Sequence, residues 1–194
     1  MSGNKQFSVK TGLFQLIFSC SLFLFQETDE RFAQHIARLS VVLTADHPAL
    51  ALPQPLQRDV PWPSVQFHIR QMAAARHPLD KAACICDALT SLSKLLGLAL
   101  QGGSVSSDHQ LPALVLVLVR ANAPNLLSTR SYIQNFIGMA EIQSIVIQSA
   151  MQGEENSATV HWPWRHSAGV MQFAFAQFST AVAAIQQLIQ QLVV

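Results

Sequence analysis

The sequence has very little charge for its length. Only 12% of its 194 residues are Asp, Glu, Lys or Arg, against about 25% in typical soluble domains. The formal net charge is +1, so the chain lacks the electrostatic field that draws proteins to nucleic acid. Half of the residues are hydrophobic, which excludes a disordered chain, because disorder requires low hydrophobicity and high charge. The length is that of one domain with its own core.

The sequence also lacks an early apolar run long enough to cross a membrane comfortably. Residues 12–25 are apolar apart from Gln15, Ser19, Cys20 and Ser21, and they make up about two-thirds of the roughly 20 residues that a spanning helix needs. Lysines precede this run, as in a signal peptide, but residues 26–30 are polar and acidic where a small-residue cleavage site would lie. We therefore favour a buried helix over a secretory signal, and we expect no transmembrane insertion.

Cysteine and clustered histidine are scarce. Three cysteines cannot form a complete disulfide framework, so buried thiols in a reducing cytosol are expected. His161 and His166 flank a Trp-Pro-Trp-Arg segment, but no third or fourth ligand follows at a recognisable zinc spacing. No nucleophile elbow surrounds a serine, and no glycine-rich phosphate loop is present. The sequence therefore predicts no metal and no cofactor, and a conventional hydrolase has little support.

Hydrophobic periodicity, together with the positions of proline and glycine, predicts helices along the whole chain. The predicted helices are two within residues 11–40, the second capped at residues 28–30, and then residues 64–76, 78–98, 111–119, 130–137, 140–151 and 170–194. The apolar run 111–119 has the composition of a buried strand, but no other segment would pair with it. We predict an all-α, layered helical domain in which this run is a buried central helix with Pro112 at its start. Residues 1–11 are expected to be a flexible segment, and residues 12–194 the domain.

Four short blocks carry a family resemblance. They are residues 77–85, with a Pro-x-Asp-Lys helix start, residues 107–112, with Ser-Asp-His-Gln-Leu-Pro against a family Ser-x-Asp-x-x-Leu-Pro segment, the Arg-x-Asn-x-Pro turn at residues 120–124, and the aromatic-Ile pair within residues 131–133. In order and spacing these blocks resemble the vacuolar protein sorting 9 domain, and the similarity extends over about residues 12–150. Each block alone is weak, whereas four in register are fairly specific.

The resemblance implies a guanine nucleotide exchange factor for the Rab five subfamily of endosomal Rab GTPases, a GTPase regulator rather than a conventional enzyme. By its position alone Asp108 is an ordinary carboxylate at a helix N-terminus, but it matches the family aspartate that displaces the nucleotide. The resemblance also implies a groove for the GTPase around Leu111, Pro112 and Ala113. It implies a cytoplasmic protein that is recruited to early endosomes and needs no cofactor.

The C-terminal part, from about residue 138, departs from the family pattern. The family carries a Gly-Glu-x-Gly-Tyr-Tyr-x-Thr block whose tyrosine and threonine engage the GTPase. Residues 153–159 begin similarly but have no tyrosine, and the alternative placement puts Phe173 at the tyrosine and Ala176 at the threonine. A non-catalytic helical scaffold that still binds a GTPase is therefore the alternative function. After residue 155 the only charged residue is Arg165, which favours an additional partner at the final helix.

Overall fold

The computed structural model describes residues 3–57, 62–101, 105–137, 166 and 168–193. Within these residues the chain is all-α, as predicted, and contains no strand. The helices are α1 (Gly3–Val42), α2 (Pro63–Ala74), α3 (Pro78–Ala99), α4 (Ser107–Ala121), α5 (Leu126–Ile137) and α6 (Ala168–Leu192). Two short 3-10 helices, Pro48–Leu50 and Gln54–Leu56, lie in the proline-rich connector between α1 and α2.

Helix α4 lies at the centre of the fold. All seven residues from Ala113 to Val119 are buried, because α1, α2, α3 and α6 pack around this helix. A helix that is apolar on every side is stable only when it is covered in this way. The predicted buried central helix is therefore confirmed. The helix starts at Ser107, four residues before the predicted start at residue 111.

Helix α3 begins at Pro78, as the sequence predicts. The Nδ1 atom of His77 accepts a hydrogen bond of 3.3 Å from the backbone N–H of Leu79, while Pro78 and Asp80 occupy the first turn, where a proline ring and a negative charge both favour the helix. By length and composition α3 is apolar enough to cross a membrane, with 22 residues and a mean hydropathy of 1.4. Core helices pass the same test, and α3 buries a row of side chains in the core, including Leu92.

Helix α1 corrects one prediction. Two helices were expected within residues 11–40, but a single helix of 40 residues is observed. No proline or glycine occurs from residue 13 to residue 47, and the polar stretch is stabilised within the helix by a Gln26–Glu30 hydrogen bond of 3.1 Å and a Glu27–Arg31 ion pair. The backbone is helical from Gly3 onward, so secondary structure does not change at residue 12, and the division between residues 1–11 and 12–194 stays a prediction.

The expected burial of the early apolar run holds for one face of α1 only. Phe18 is buried against α5, where it contacts Tyr132 at 4.8 Å between ring centroids. On the opposite face Phe23 and Leu24 are 80% and 76% exposed. Cys20 is also exposed, which corrects the expectation of buried thiols, whereas Cys86 is buried as expected.

Lys81, a buried residue of α3, contacts three other helices. The Nζ atom of Lys81 donates hydrogen bonds to the carbonyls of Met72, at 2.9 Å, and Ala73, at 3.4 Å, in the last turn of α2. It also lies 3.5 Å from the Thr129 hydroxyl of α5 and 4.4 Å from the ring centroid of Phe18 in α1. Burial lowers the pKa of Lys81 from 10.5 to about 8, because the charged form loses its hydration.

The predicted helix at residues 140–151 and nearly all of the irregular segment 152–169 lie outside the described residues. The helix predicted to start at residue 130 begins earlier, at Leu126. The final helix ends at Leu192, close to its expected limit.

Candidate functional site

The first turn of α4 presents a carboxylate to solvent. Ser106 has extended backbone and precedes the helix, and its carbonyl accepts hydrogen bonds of 3.1 Å from the backbone N–H groups of His109 and Gln110. Asp108 is the second residue of the helix, and it is exposed. Among the described residues its carboxylate has no hydrogen bond or ion pair. The partial positive charge of the helix N-terminus stabilises this negative charge.

Pro112 weakens the backbone bonding of this first turn. Proline has no N–H group, so the carbonyl of Asp108, four residues earlier, loses its usual helical partner. The rest of α4 is held rigidly by its burial. The first turn of α4, which carries Asp108, therefore has one backbone hydrogen bond fewer than an uninterrupted helix.

A cleft opens beside Asp108, between α4 and α6. Its volume is about 380 Å³. The lining residues are Ser107, Asp108, Leu111 and Pro112 from α4, with Gln177 and Thr180 from α6. Leu111 and Pro112 also line an adjoining groove of about 370 Å³, which continues along the same two helices. The two cavities therefore share one apolar wall.

The structure brings three of the five predicted site residues together. Asp108, Leu111 and Pro112 all line the cleft. Ala113 has no exposed surface and belongs to the core cluster, so it offers nothing for a partner to contact; its side of α4 faces the core. Phe173 is 60% exposed on α6, one helical turn before Gln177 and beyond the residues that line the cleft.

The residues of α6 that form the polar wall of the cleft were not identified from the sequence. Gln177 and Thr180 face the cleft, and the Thr180 hydroxyl donates a hydrogen bond of 2.9 Å to the carbonyl of Ala176. Their spacing of four and seven residues from Phe173 puts all three on one helical face. That spacing is the only sequence signal that points to them. The first placement of the family block, at residues 153–159, lies outside the described residues.

The start of α6 is tied to α3. The Nε2 atom of His166, just before the helix, lies 2.9 Å from Oδ1 of Asp87. His161, the other histidine considered as a metal ligand, lies outside the described residues. In the part of the chain that the structure describes, no three His, Cys, Asp or Glu side chains are placed to hold a metal ion.

A buried central helix with an exposed aspartate in its first turn is the arrangement that the family resemblance of the sequence implies. A family model described as the Vacuolar sorting protein 9 (VPS9) domain matches residues 62–189, more than half of the chain and all of the cleft beside Asp108. The chain therefore belongs to the VPS9 domain family.

Named relatives support this membership. The mouse protein "GTPase-activating protein and VPS9 domain-containing protein 1" is 34% identical over 169 residues, 85% of this chain and 11% of the mouse protein. "Receptor-mediated endocytosis protein 6 homolog" of Drosophila pseudoobscura pseudoobscura is 36% identical over 110 residues, 57% of this chain and 6% of that protein. "Vacuolar protein sorting-associated protein 9A" of Arabidopsis thaliana is 26% identical over 111 residues, 56% of this chain and 21% of that protein. The chain thus spans about a tenth of the length of its mouse relative.

Proposed function

We propose that this chain is a guanine nucleotide exchange domain for Rab GTPases of the Rab five subfamily, with Asp108 as the nucleotide-displacing carboxylate. The observation that carries the proposal is the exposed carboxylate of Asp108, without a partner among the described residues, at the mouth of the α4–α6 cleft. Membership of the VPS9 domain family supports it. The names of two relatives refer to receptor-mediated endocytosis and vacuolar sorting, which supports a role in vesicle trafficking.

A carboxylate in this position acts by electrostatic competition. A GTPase holds its nucleotide through a phosphate-loop lysine and a Mg²⁺ ion that contacts the phosphates. A carboxylate inserted there pairs with the lysine, repels the β-phosphate and weakens the Mg²⁺ site. Each loss of about 1.4 kcal/mol in nucleotide affinity corresponds to a factor of ten, so a few kcal/mol accelerates release by orders of magnitude.

The surroundings of Asp108 suit this role. Because no described residue pairs with its carboxylate, no ion pair in this part of the chain has to break before Asp108 enters the nucleotide site. The buried body of α4 fixes where the carboxylate is presented. Leu111 and Pro112 form an apolar wall beside it, against which the switch regions of a GTPase would pack, with the exposed ring of Phe173 nearby.

A second candidate is a GTPase-binding scaffold without exchange activity. The observation that favours it is the absence of hydroxyl groups at Phe173 and Ala176, the positions that the second placement of the family block matches to the tyrosine and threonine. Such a scaffold would keep the groove and bind the GTPase but would not accelerate nucleotide release.

Release of a fluorescent GDP analogue from a panel of Rab proteins that includes the Rab five subfamily tests the proposal. We expect the wild type to accelerate release from this subfamily and Asp108→Asn to reduce the catalysed rate at least about 100-fold. Asp80→Asn is the matched control, since Asp80 is also a first-turn carboxylate, but on α3 and outside the cleft. Equal rates for wild type and Asp108→Asn would reject the role of Asp108. Binding without acceleration would favour the scaffold.

The expected cellular location of the chain follows from its proposed Rab partner. A domain that acts on endosomal Rab proteins is expected in the cytoplasm, with recruitment to early endosomes. Fluorescence microscopy of the tagged chain against an early-endosome marker checks this expectation.

A further inference from the structure

The wall that α6 contributes to the groove is uncharged. From Ala168 to Leu192 this helix contains no Asp, Glu, Lys or Arg. Gln187 and Gln191 line the groove that adjoins the Asp108 cleft. Both glutamines are exposed, and neither amide has a hydrogen-bond partner among the described residues. Each amide therefore has a free carbonyl acceptor and a free N–H₂ donor.

The spacing of these two amides matches the repeat of an extended backbone. Gln187 and Gln191 are four residues apart on α6, which corresponds to about 6 Å along the helix axis. In an extended segment, backbone N–H and C=O groups on one edge recur every two residues, or about 6.6 Å. Two glutamine amides in this register can each pair with one backbone unit of the same edge.

The remainder of the groove suits side chains of such a segment. Leu111 and Pro112 of α4 and Leu188 of α6 line it, and these partly exposed side chains present apolar surface. Alternate side chains of an extended segment point to one side, so these residues can accept them while the amides hold the backbone.

We propose that Gln187 and Gln191 contribute docking affinity by pairing with the backbone of an extended segment of the GTPase, which lies in the groove beside the Asp108 cleft. This inference rests on the proposed function, because the two cavities share Leu111 and Pro112 and one partner would occupy both. The glutamines act on docking, whereas Asp108 acts on the nucleotide.

The test is the double variant Gln187→Met/Gln191→Met, in which near-isosteric side chains remove the hydrogen bonds. The matched control is Gln172→Met/Gln190→Met, because these exposed glutamines of α6 do not line the groove. GDP release from a Rab five-subfamily protein is measured as a function of domain concentration. We expect KM to rise about tenfold in the groove variant with kcat unchanged, and the control to match the wild type.

The outcomes separate this inference from the proposed function. If the wild type is active and the groove variant has an unchanged KM, the glutamine assignment is wrong and the exchange function stands. If the wild type is inactive, the exchange function is wrong, and the docking role of the glutamines is then tested by binding to the nucleotide-free Rab protein. Weaker binding by the groove variant than by the wild type supports that role. Equal binding, or no binding by either protein, rejects it. Amide hydrogen exchange of the GTPase is compared between its complexes with the wild type and with the groove variant. One GTPase segment must be less protected in the variant complex; if none is, backbone recognition is rejected.

Discussion

Oδ1 of Asp29 accepts a hydrogen bond of 2.9 Å from the backbone N–H of Leu127. The N–H of Ser128 lies 3.4 and 3.3 Å from the two oxygens of the same carboxylate. Both N–H groups belong to the first turn of α5, where a helix has no partners of its own. Asp29 is only 4% exposed. A residue of α1 therefore caps a helix that begins almost a hundred positions later.

Removal of this carboxylate should destabilise the domain strongly. Asp29→Ala leaves buried N–H groups without an acceptor, so we expect the free energy of unfolding to fall by about 2–3 kcal/mol. Urea unfolding followed by circular dichroism measures the change. Glu30→Ala, at the exposed neighbouring position, should change stability by less than about 0.5 kcal/mol. A similarly small effect of Asp29→Ala would contradict the capping role.

Lys81 should give stability a distinctive pH dependence. Its pKa is about 8 in the folded protein and 10.5 ordinarily, so between these values the unfolded chain binds more protons and stability rises with pH. Relative to Lys81→Met, the wild type should therefore gain stability between pH 8 and 10.5, by at most about 3 kcal/mol. Below that window both states hold the proton and the difference is constant.

The stability of Lys81→Met must be subtracted from that of the wild type at each pH. Burial raises the pKa of Cys86 to about 11 and also raises that of Cys84, so both thiols lower stability as pH rises above 9. The contribution of Cys86 is the same in wild type and variant and cancels, whereas the pKa of Cys84 also depends on the charge of Lys81, so both proteins carry Cys84→Ala in this comparison. Lys94→Met, which removes an exposed lysine from the same helix, is the control. An identical pH slope in wild type and Lys81→Met would show that Lys81 does not titrate in this window.

Restoration of the family hydroxyls should increase exchange. In Phe173→Tyr/Ala176→Thr both changes lie on exposed positions of α6, so the fold should tolerate them. We expect nucleotide release to accelerate about five- to tenfold, the value of one added hydrogen bond. Ala183→Thr, also exposed on α6, should have no effect. Unchanged rates would show that this segment is not the equivalent of the family block.

Gly97 offers a stabilising substitution. A Cβ atom at this position would meet only Cγ2 of Val105, at 3.9 Å, which is ordinary contact. Because glycine inside a helix costs about 0.5–1 kcal/mol relative to alanine, Gly97→Ala should raise the melting temperature by several degrees. Ala99→Gly, at the end of the same helix, should lower it slightly. A loss of stability in Gly97→Ala would mean that α3 and the segment at Val105 are closer in solution.

The helices that begin with local signals were predictable from the sequence, and those with distant partners were not. Pro78 and Asp80 mark the start of α3 within a few residues. Asp29 also looks like a local cap, but its partner is Leu127, which no local pattern reveals; hence the wrong division of α1.

Residues of the candidate cleft could likewise be predicted from the sequence only in part. The spacing of the family motif identified Asp108, Leu111 and Pro112, which line one cleft. It did not show that Ala113 faces the core, because α4 is apolar on every side and the sequence does not distinguish its faces. Gln177 was missed because a glutamine on a surface helix is ordinary unless the opposite wall is known.

The uncharged α6 also has a kinetic consequence. With a formal net charge of +1 and no ionisable side chain on this wall, the domain has little long-range attraction for its partner. Unsteered protein encounters proceed at about 10⁵–10⁶ M⁻¹s⁻¹, far below the rates that complementary fields achieve. If the chain acts on a Rab GTPase as proposed, tethering both proteins to one membrane would replace that missing attraction with a local concentration of about the millimolar range. Recruitment, rather than diffusion through the cytoplasm, would then set how fast the domain meets the GTPase.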